Sequence, residues 1–180
     1  LVPSQYTLQA ELEIMERLHV SGSFLIDVLS PKRLQSRVFE LAGMPKQTLF
    51  DERGKCMVLS SIIEAQKDEL SVYRGAAQNG SSGFTARMSN MIASLKRSGL
   101  SAAEVARSAE SMDTESPARA KLGDIARIYA AYEQRMAGEL ADAEDISREM
   151  CARFEASGVF KGQNVFVYGF DMITPTFAAE

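Results

Sequence analysis

Apolar residues recur at helical spacing over most of the chain. Leu8, Leu12, Met15 and Leu18, separated by Glu and Arg, predict a first amphipathic helix that stops at Gly22. Phe24-Leu25-Ile26-Asp27-Val28-Leu29 breaks the pattern: it is short, branched and aromatic, bounded by Gly22 and Pro31, and reads as a strand. Ser30-Pro31 supplies an N-cap and a first-turn proline to a second helix, carried by Leu34, Val38 and Leu41 up to Gly43. From Asp51 onward the period is almost wholly helical. Met57, Val58, Ile62 and Ile63 line one stretch, and Phe84 to Ser98, closed by Gly99, forms another. Between them the Gly/Ser run Asn79–Gly83 predicts a mobile loop. Ser101-Ala-Ala-Glu104 is a capping box that opens a short helix. Ser116-Pro117 precedes the longest helix, marked by Leu122, Ile125, Ile128, Tyr129, Tyr132 and Met136, and Asp142 to Ala156 predicts a last one ending near Gly158. Asn164-Val-Phe-Val-Tyr-Gly-Phe170 then reads as a buried strand with a loop at its carboxyl end.

Strand-like runs near the termini around a long helical stretch predict an α/β fold that is mostly helical. A partial parallel sheet is expected from residues 1–47 and 159–180, with residues 48–158 as a helical insertion. The opening Leu-Val-Pro-Ser and the closing Phe177-Ala-Ala-Glu180 both read as cut from something larger. At 180 residues and 46% hydrophobic composition the chain is long enough to bury a core. A net charge of −4 argues against a protein that grips nucleic acid over its whole surface, but leaves room for a local basic strip. Cys56 and Cys151 lie far apart with no CxxC or CxxH spacing, so neither a zinc site nor a disulfide framework is suggested. No apolar run approaches the roughly 20 residues that span a bilayer and there is no secretory leader pattern, so a cytoplasmic location without membrane contact is expected.

The remaining chemistry-bearing residues have structural explanations. His19, the single histidine, sits at a helix end with no nucleophile beside it. Asp51, Glu52, Asp68 and Glu69, with Lys55 or Lys67, could form a metal-dependent nuclease centre. Asp51-Glu52 is nevertheless what a helix dipole favours at its start, and the same holds for Asp142, Glu144 and Asp145, read as a solvated face. Lys96-Arg97 suits a helix C-terminus by the same argument. Tyr129 and Tyr132 share a face with Ile125 and Ile128 and read as core. Nine methionines suit an irregular core or an adaptable partner surface.

Three segments in this order resemble the B subunit of the bacterial AddAB/RexAB-type helicase-nuclease. They are Leu1-Val-Pro-Ser-Gln-Tyr-Thr-Leu-Gln-Ala-Glu11, Ile26-Asp-Val-Leu-Ser-Pro-Lys-Arg-Leu34 and Val165-Phe-Val-Tyr-Gly-Phe-Asp-Met-Ile-Thr-Pro175. Leu49-Phe-Asp-Glu-Arg-Gly-Lys55 and Leu122 to Arg135 fit the same pattern. The resemblance implies an internal piece of the N-terminal, superfamily 1 helicase-like region, acting in double-strand break processing and recombinational repair with an A subunit and DNA as partners. It implies ATP and Mg²⁺ for the parent family and an iron-sulfur cluster outside this segment, with no cofactor held by the segment itself.

The chain contains no G-x-x-x-x-G-K-[ST], so the phosphate-cradling loop is expected upstream of Leu1 or missing. Where hydrolysing members place an Asp for Mg²⁺ and a Glu for the attacking water, this sequence has Tyr168 and Gly169. Asp171, just beyond, could hold a hydrated metal, though capping the next turn suits a lone carboxylate better. The resemblance further implies that the loops after the first and second strands face single-stranded DNA. Gln5, Tyr6 and Thr7 can stack on bases or bond phosphates, and Lys32 and Arg33 stand in the first turn of a helix that could approach the backbone. On the plainer reading, Ser4 and Thr7 cap a helix while Lys32 and Arg33 are solvated charges. The two readings imply a non-hydrolysing scaffold that contacts DNA, or a purely structural module that docks the partner subunit.

Overall fold

The computed structural model describes residues 1–22, 25–80, 82–158 and 160–171. Helices account for most of these, and the chain divides into two units, Leu1–Pro45 with Ser147–Glu180, and Lys46–Ile146.

In the first unit, α1 (Thr7–Leu18) is entered through a 3-10 turn, Ser4–Tyr6, rather than through a side-chain cap. Thr7 Oγ1 donates back to the Ser4 carbonyl (3.2 Å), so neither residue caps the helix as the plainer reading supposed. The helix ends at His19, whose left-handed φ of 55° turns the chain before Gly22 is reached. α2 (Pro31–Ala42) starts as expected: the Ser30 hydroxyl accepts from the Arg33 N–H (3.3 Å) and Pro31 needs no donor there. Its buried face is Leu34, Val38 and Phe39, whereas Leu41 faces solvent. The helix closes on Arg153, whose guanidinium lies over the Phe39 ring and donates to the carbonyls of Ala42 and Gly43.

The second unit carries β1 (Thr48–Leu49), α3 (Glu52–Gln66), α4 (Arg74–Gln78), α5 (Ser82–Arg97), α6 (Ala102–Glu110), α7 (Pro117–Met136) and β2 (Leu140–Ala141). It also holds the first turn of α8 (Ala143–Ser157), the rest of which belongs to the first unit. α7 packs against α6 and α3, and α3 against α5. Their apolar faces meet in one core: Leu59 and Ile63, Phe84, Met88 and Ile92, Val105, then Ile125, Ile128, Tyr129 and Tyr132. Both tyrosines are core residues, as their shared face with isoleucines predicts, and Tyr129 satisfies its hydroxyl on the Leu100 carbonyl (3.0 Å). Met57, expected on the inner face of α3, is 74% exposed. The capping box is complete, with Ser101 accepting from the Glu104 N–H and Glu104 accepting from the Ser101 N–H. The predicted loop Asn79–Gly83 is shorter than expected. Ser82 and Gly83 already belong to α5, and Ser81 lies outside the described residues.

The sheet departs from expectation. Among the described residues the one assigned ladder is β1 with β2, parallel, Thr48 opposite Leu140 and Leu49 opposite Ala141, inside the stretch expected to be helical. Residues 25–30 and 163–168 form no strand, and Phe24 and Met172–Glu180 lie outside the described residues. The terminal segments nevertheless touch. The Leu1 N–H donates to the Phe166 carbonyl and the Tyr168 N–H to the Leu1 carbonyl (3.0 Å), the bonding pattern of a parallel pair centred on Leu1 and Val167. Val2 N–H donates to the Leu29 carbonyl (2.9 Å). A parallel pair there would next require an N–H at position 31, and Pro31 has none.

Asp142, read as part of a solvated face, is instead buried in the second unit together with Lys55 and Lys96. Lys55 and Asp142 are each about 1% exposed and Lys96 3%. Lys96 Nζ donates to Asp142 (2.7 Å) and Asp145 (2.8 Å), and Lys55 Nζ to Glu144 (3.2 Å) with Asp142 at 3.7 Å. Tyr132 donates its hydroxyl to Asp142 (3.0 Å). Asp142 and Asp145 exchange N–H to carboxylate bonds across the first turn of α8, a reciprocal cap. Arg97 pairs with Glu144 from the surface. The run Leu49 to Lys55 thus has a physical meaning. Leu49 pairs in the sheet, Asp51 caps α3 through the Gly54 N–H (2.8 Å), and Lys55 enters the ion network. Gly54 carries no Cβ because one would stand 2.7 Å from the Phe50 ring.

Candidate nucleic-acid interface

The five residues expected to meet DNA all lie in the first unit. Gln5 and Tyr6 are exposed on the 3-10 turn that leads into α1, Thr7 is half-buried at its first position, and Lys32 and Arg33 are exposed in the first turn of α2. The Val2 to Leu29 backbone bond ties the start of one segment to the start of the other. Pro3 and Ser30 therefore leave neighbouring backbone positions, and the two exposed turns follow from them. The third segment joins at the same level, since a Cβ at Gly169 would stand 3.6 Å from Pro3 Cδ. The ends of three extended segments, 1–3, 28–30 and 166–169, thus converge.

This arrangement offers two exposed cations beside a helix N-terminus, where the peptide dipoles also favour an anion. Ser30 already satisfies one of the free N–H groups of that turn. An exposed aromatic ring and an amide stand on the adjoining turn, so the side chains are of the types that meet phosphate and base faces.

The residues present do not fit the nucleotide chemistry that the resemblance attaches to the parent family. Tyr168 is exposed and offers no carboxylate, and Gly169 has φ 80°, a backbone conformation that a glutamate rarely adopts. Asp171 is a single exposed carboxylate. Among the described residues no group of three or more His, Cys, Asp or Glu is placed to hold a metal. Two cysteines in the whole chain fall short of the four thiolates of an ordinary iron-sulfur cluster. No helix among the described residues is long and apolar enough to cross a membrane.

Besides Asp142, sequence reasoning missed three buried charges, and each carried a signal. Lys55 stands four residues before Leu59, Lys96 four after Ile92, and Asp124 four before Ile128, so all three are in register with a buried face. Asp124, 3% exposed, accepts the backbone N–H groups of Ser71, Val72 and Tyr73 at 2.8–2.9 Å and so holds the turn between α3 and α4.

A mostly helical segment with three converging extended ends and no nucleotide loop of its own is a motif-poor architecture, and comparison with known proteins places it. A family model described as ADDB, N-terminal, matches residues 1–178, and the chain belongs to that family. Among its relatives, the B subunit of the ATP-dependent helicase/deoxyribonuclease from Alkaliphilus metalliredigens (strain QYMF) is 29% identical over 175 residues, covering 97% of this chain and 15% of its own length. The corresponding B subunits from Moorella thermoacetica (strain ATCC 39073 / JCM 9320), 32% identical over 179 residues, and from Bacillus anthracis, 30% over 181 residues, cover the same shares. The chain therefore spans about 15% of the length of these relatives.

Proposed function

We propose that this chain is the N-terminal part of a helicase–deoxyribonuclease B subunit that processes double-strand DNA ends in recombinational repair, in a cytoplasmic complex with an A subunit. Within it, this segment acts as a non-hydrolysing, helicase-like scaffold that guides single-stranded DNA past Gln5, Tyr6, Thr7, Lys32 and Arg33. ATP and Mg²⁺ chemistry belongs to other parts of the assembly on this reading, because the groups at Tyr168 and Gly169 cannot supply it. The observation that carries the reading is the convergence of the two exposed turns through the Val2 to Leu29 bond, which sets cations and a stacking ring on one unit.

The test is fluorescence anisotropy of a labelled single-stranded oligonucleotide at several salt concentrations, with the wild type and with Lys32→Ala/Arg33→Ala. Salt-sensitive binding is expected. The double variant should weaken it and lower the salt slope by about 1.4, two phosphate contacts at about 0.7 each. Binding that the double variant leaves unchanged removes the DNA track from this surface. No binding by the chain supports the second reading, a module that docks the partner subunit, which the exposed apolar residues of α1 favour.

A further inference from the structure

A groove of about 680 Å³ lies along α6 and α7 on the second unit. Small residues form its floor: Ala103 and Ala106 from α6, and Ala120, Gly123 and Ala130 from α7. The three positions on α7 recur at helical spacing and so share one side of it. The turn before α4, at Glu69 and Ser71, supplies a further wall. Alanine is what any exposed helix favours, so the alanines alone carry no message. Gly123 does. A glycine inside a helix is markedly less favourable than alanine, and nothing within this chain demands one there. Its φ is not left-handed, and a Cβ at Gly123 meets no atom within 4 Å. Gly54 in α3, by contrast, is required by the Phe50 ring. What a bare backbone at Gly123 permits is the close approach of something outside the chain.

We infer that this groove docks an amphipathic helix of a partner protein, which lays a ridge of leucine-sized side chains on the alanine floor and carries lysines or arginines along its flanks. A floor of small residues is the hole into which the ridge of a second helix packs, and the glycine lets the two backbones draw close where they cross. The charges on the rim choose the flanks. Glu69 neutralises Arg127, and Arg119 donates to the Met112 carbonyl and the Thr114 hydroxyl. Glu110 and Glu133 are exposed or half-buried on the same rim and have no ion pair among the described residues. The unpaired charge is therefore acidic, which favours a basic helix and disfavours a second copy that brings the same glutamates. The inference rests on neither reading of Lys32 and Arg33.

The test is fluorescence anisotropy of a labelled synthetic peptide of about 18 residues, long enough to be helical, titrated with the natural full-length polypeptide that carries this chain. Its leucines recur at i, i+3, i+4 and i+7 and are flanked by lysines; a twin carries glutamates in their place. The lysine peptide should bind, and its twin at least about tenfold more weakly. Gly123→Leu, which fills the floor, should weaken the lysine peptide by about tenfold or more. Gly123→Ala should raise the melting temperature yet weaken binding severalfold, a pairing that a merely structural glycine does not give. Glu110→Gln/Glu133→Gln should narrow the preference between the two peptides. No binding of the lysine peptide, equal binding of the twins, or binding that both Gly123 variants leave unchanged overturns the inference. So does a concentration-dependent dimer that Gly123→Leu dissolves in analytical ultracentrifugation, which assigns the groove to a second copy.

Discussion

Replacing Asp142 with Ala removes one carboxylate from a pocket that holds two lysine ammonium groups. Three bonds end on it: Lys96 Nζ at 2.7 Å, the Tyr132 hydroxyl at 3.0 Å and the Asp145 N–H at 2.9 Å, with Lys55 Nζ at 3.7 Å. After the change Lys96 keeps only Asp145 and Lys55 only Glu144, Tyr132 loses its acceptor, and α8 loses its cap. Breaking a buried ion pair from one side costs about 3–5 kcal/mol. A lost cap costs about 1 kcal/mol. Neighbouring terms do not simply add, so the expected loss is about 4 kcal/mol, a large share of the roughly 5–15 kcal/mol that holds a domain folded. At about 2–4 °C per kcal/mol for a chain of this size, the melting temperature followed by far-UV circular dichroism should fall roughly 8–16 °C. The control is Glu64→Ala, which opens the exposed pair with Lys67 and should change stability by less than about 1 kcal/mol.

Acid titration separates charge from geometry at the same residue. Burial alone pushes the Asp142 carboxyl up, but the Lys96 hydrogen bond and charge, the Asp145 N–H and the Lys55 charge outweigh it and hold the pKa at about 2, below its ordinary 3.8. A depressed carboxyl contributes stability that is fully present above the unfolded value and lost as pH falls through the folded one. The gap between wild type and Asp142→Ala should therefore narrow by about 2 kcal/mol as pH drops from about 4 to 2. An Asp142→Ala loss no larger than that of the control, or a gap constant down to pH 2, would refute the reasoning.

Three further outcomes follow from burial or exposure. Asp124→Ala strands three N–H groups, so stability should fall by about 2–3 kcal/mol; hydrogen exchange at Ser71, Val72 and Tyr73 should accelerate while the α6 amides stay protected. Ile128→Ala, at a fully buried site of α7, should cost about 2–5 kcal/mol in urea unfolding. Met57→Ala, at an exposed position of α3, should stay within about 0.5 kcal/mol.

The amino-acid sequence alone determined most of the helices and several of their starts, because capping and period are local, whereas the end of α1 at His19 and the short α4 were not read from it. Ser30-Pro31, Asp51, the Ser101–Glu104 box and Ser116-Pro117 each mark a helix start that the structure shows, and the face of Ile125, Ile128, Tyr129 and Tyr132 named its own core. Motif order along the chain also carried the family. The proposed DNA residues were readable as candidates, but their nearness to one another was not, since it depends on a backbone bond between residues 27 positions apart in sequence. Tertiary structure decided the rest. A charge in register with a buried face can be a surface residue or a paired one, and only the meeting of α3, α5 and the first turn of α8 shows that Lys55 and Lys96 share Asp142. The terminal runs carry the composition of buried strands, yet a strand exists only through a partner that supplies hydrogen bonds. Prolines 3 and 31 withhold donors where two of the segments meet, while the two-residue ladder of β1 and β2 forms where both partners have them.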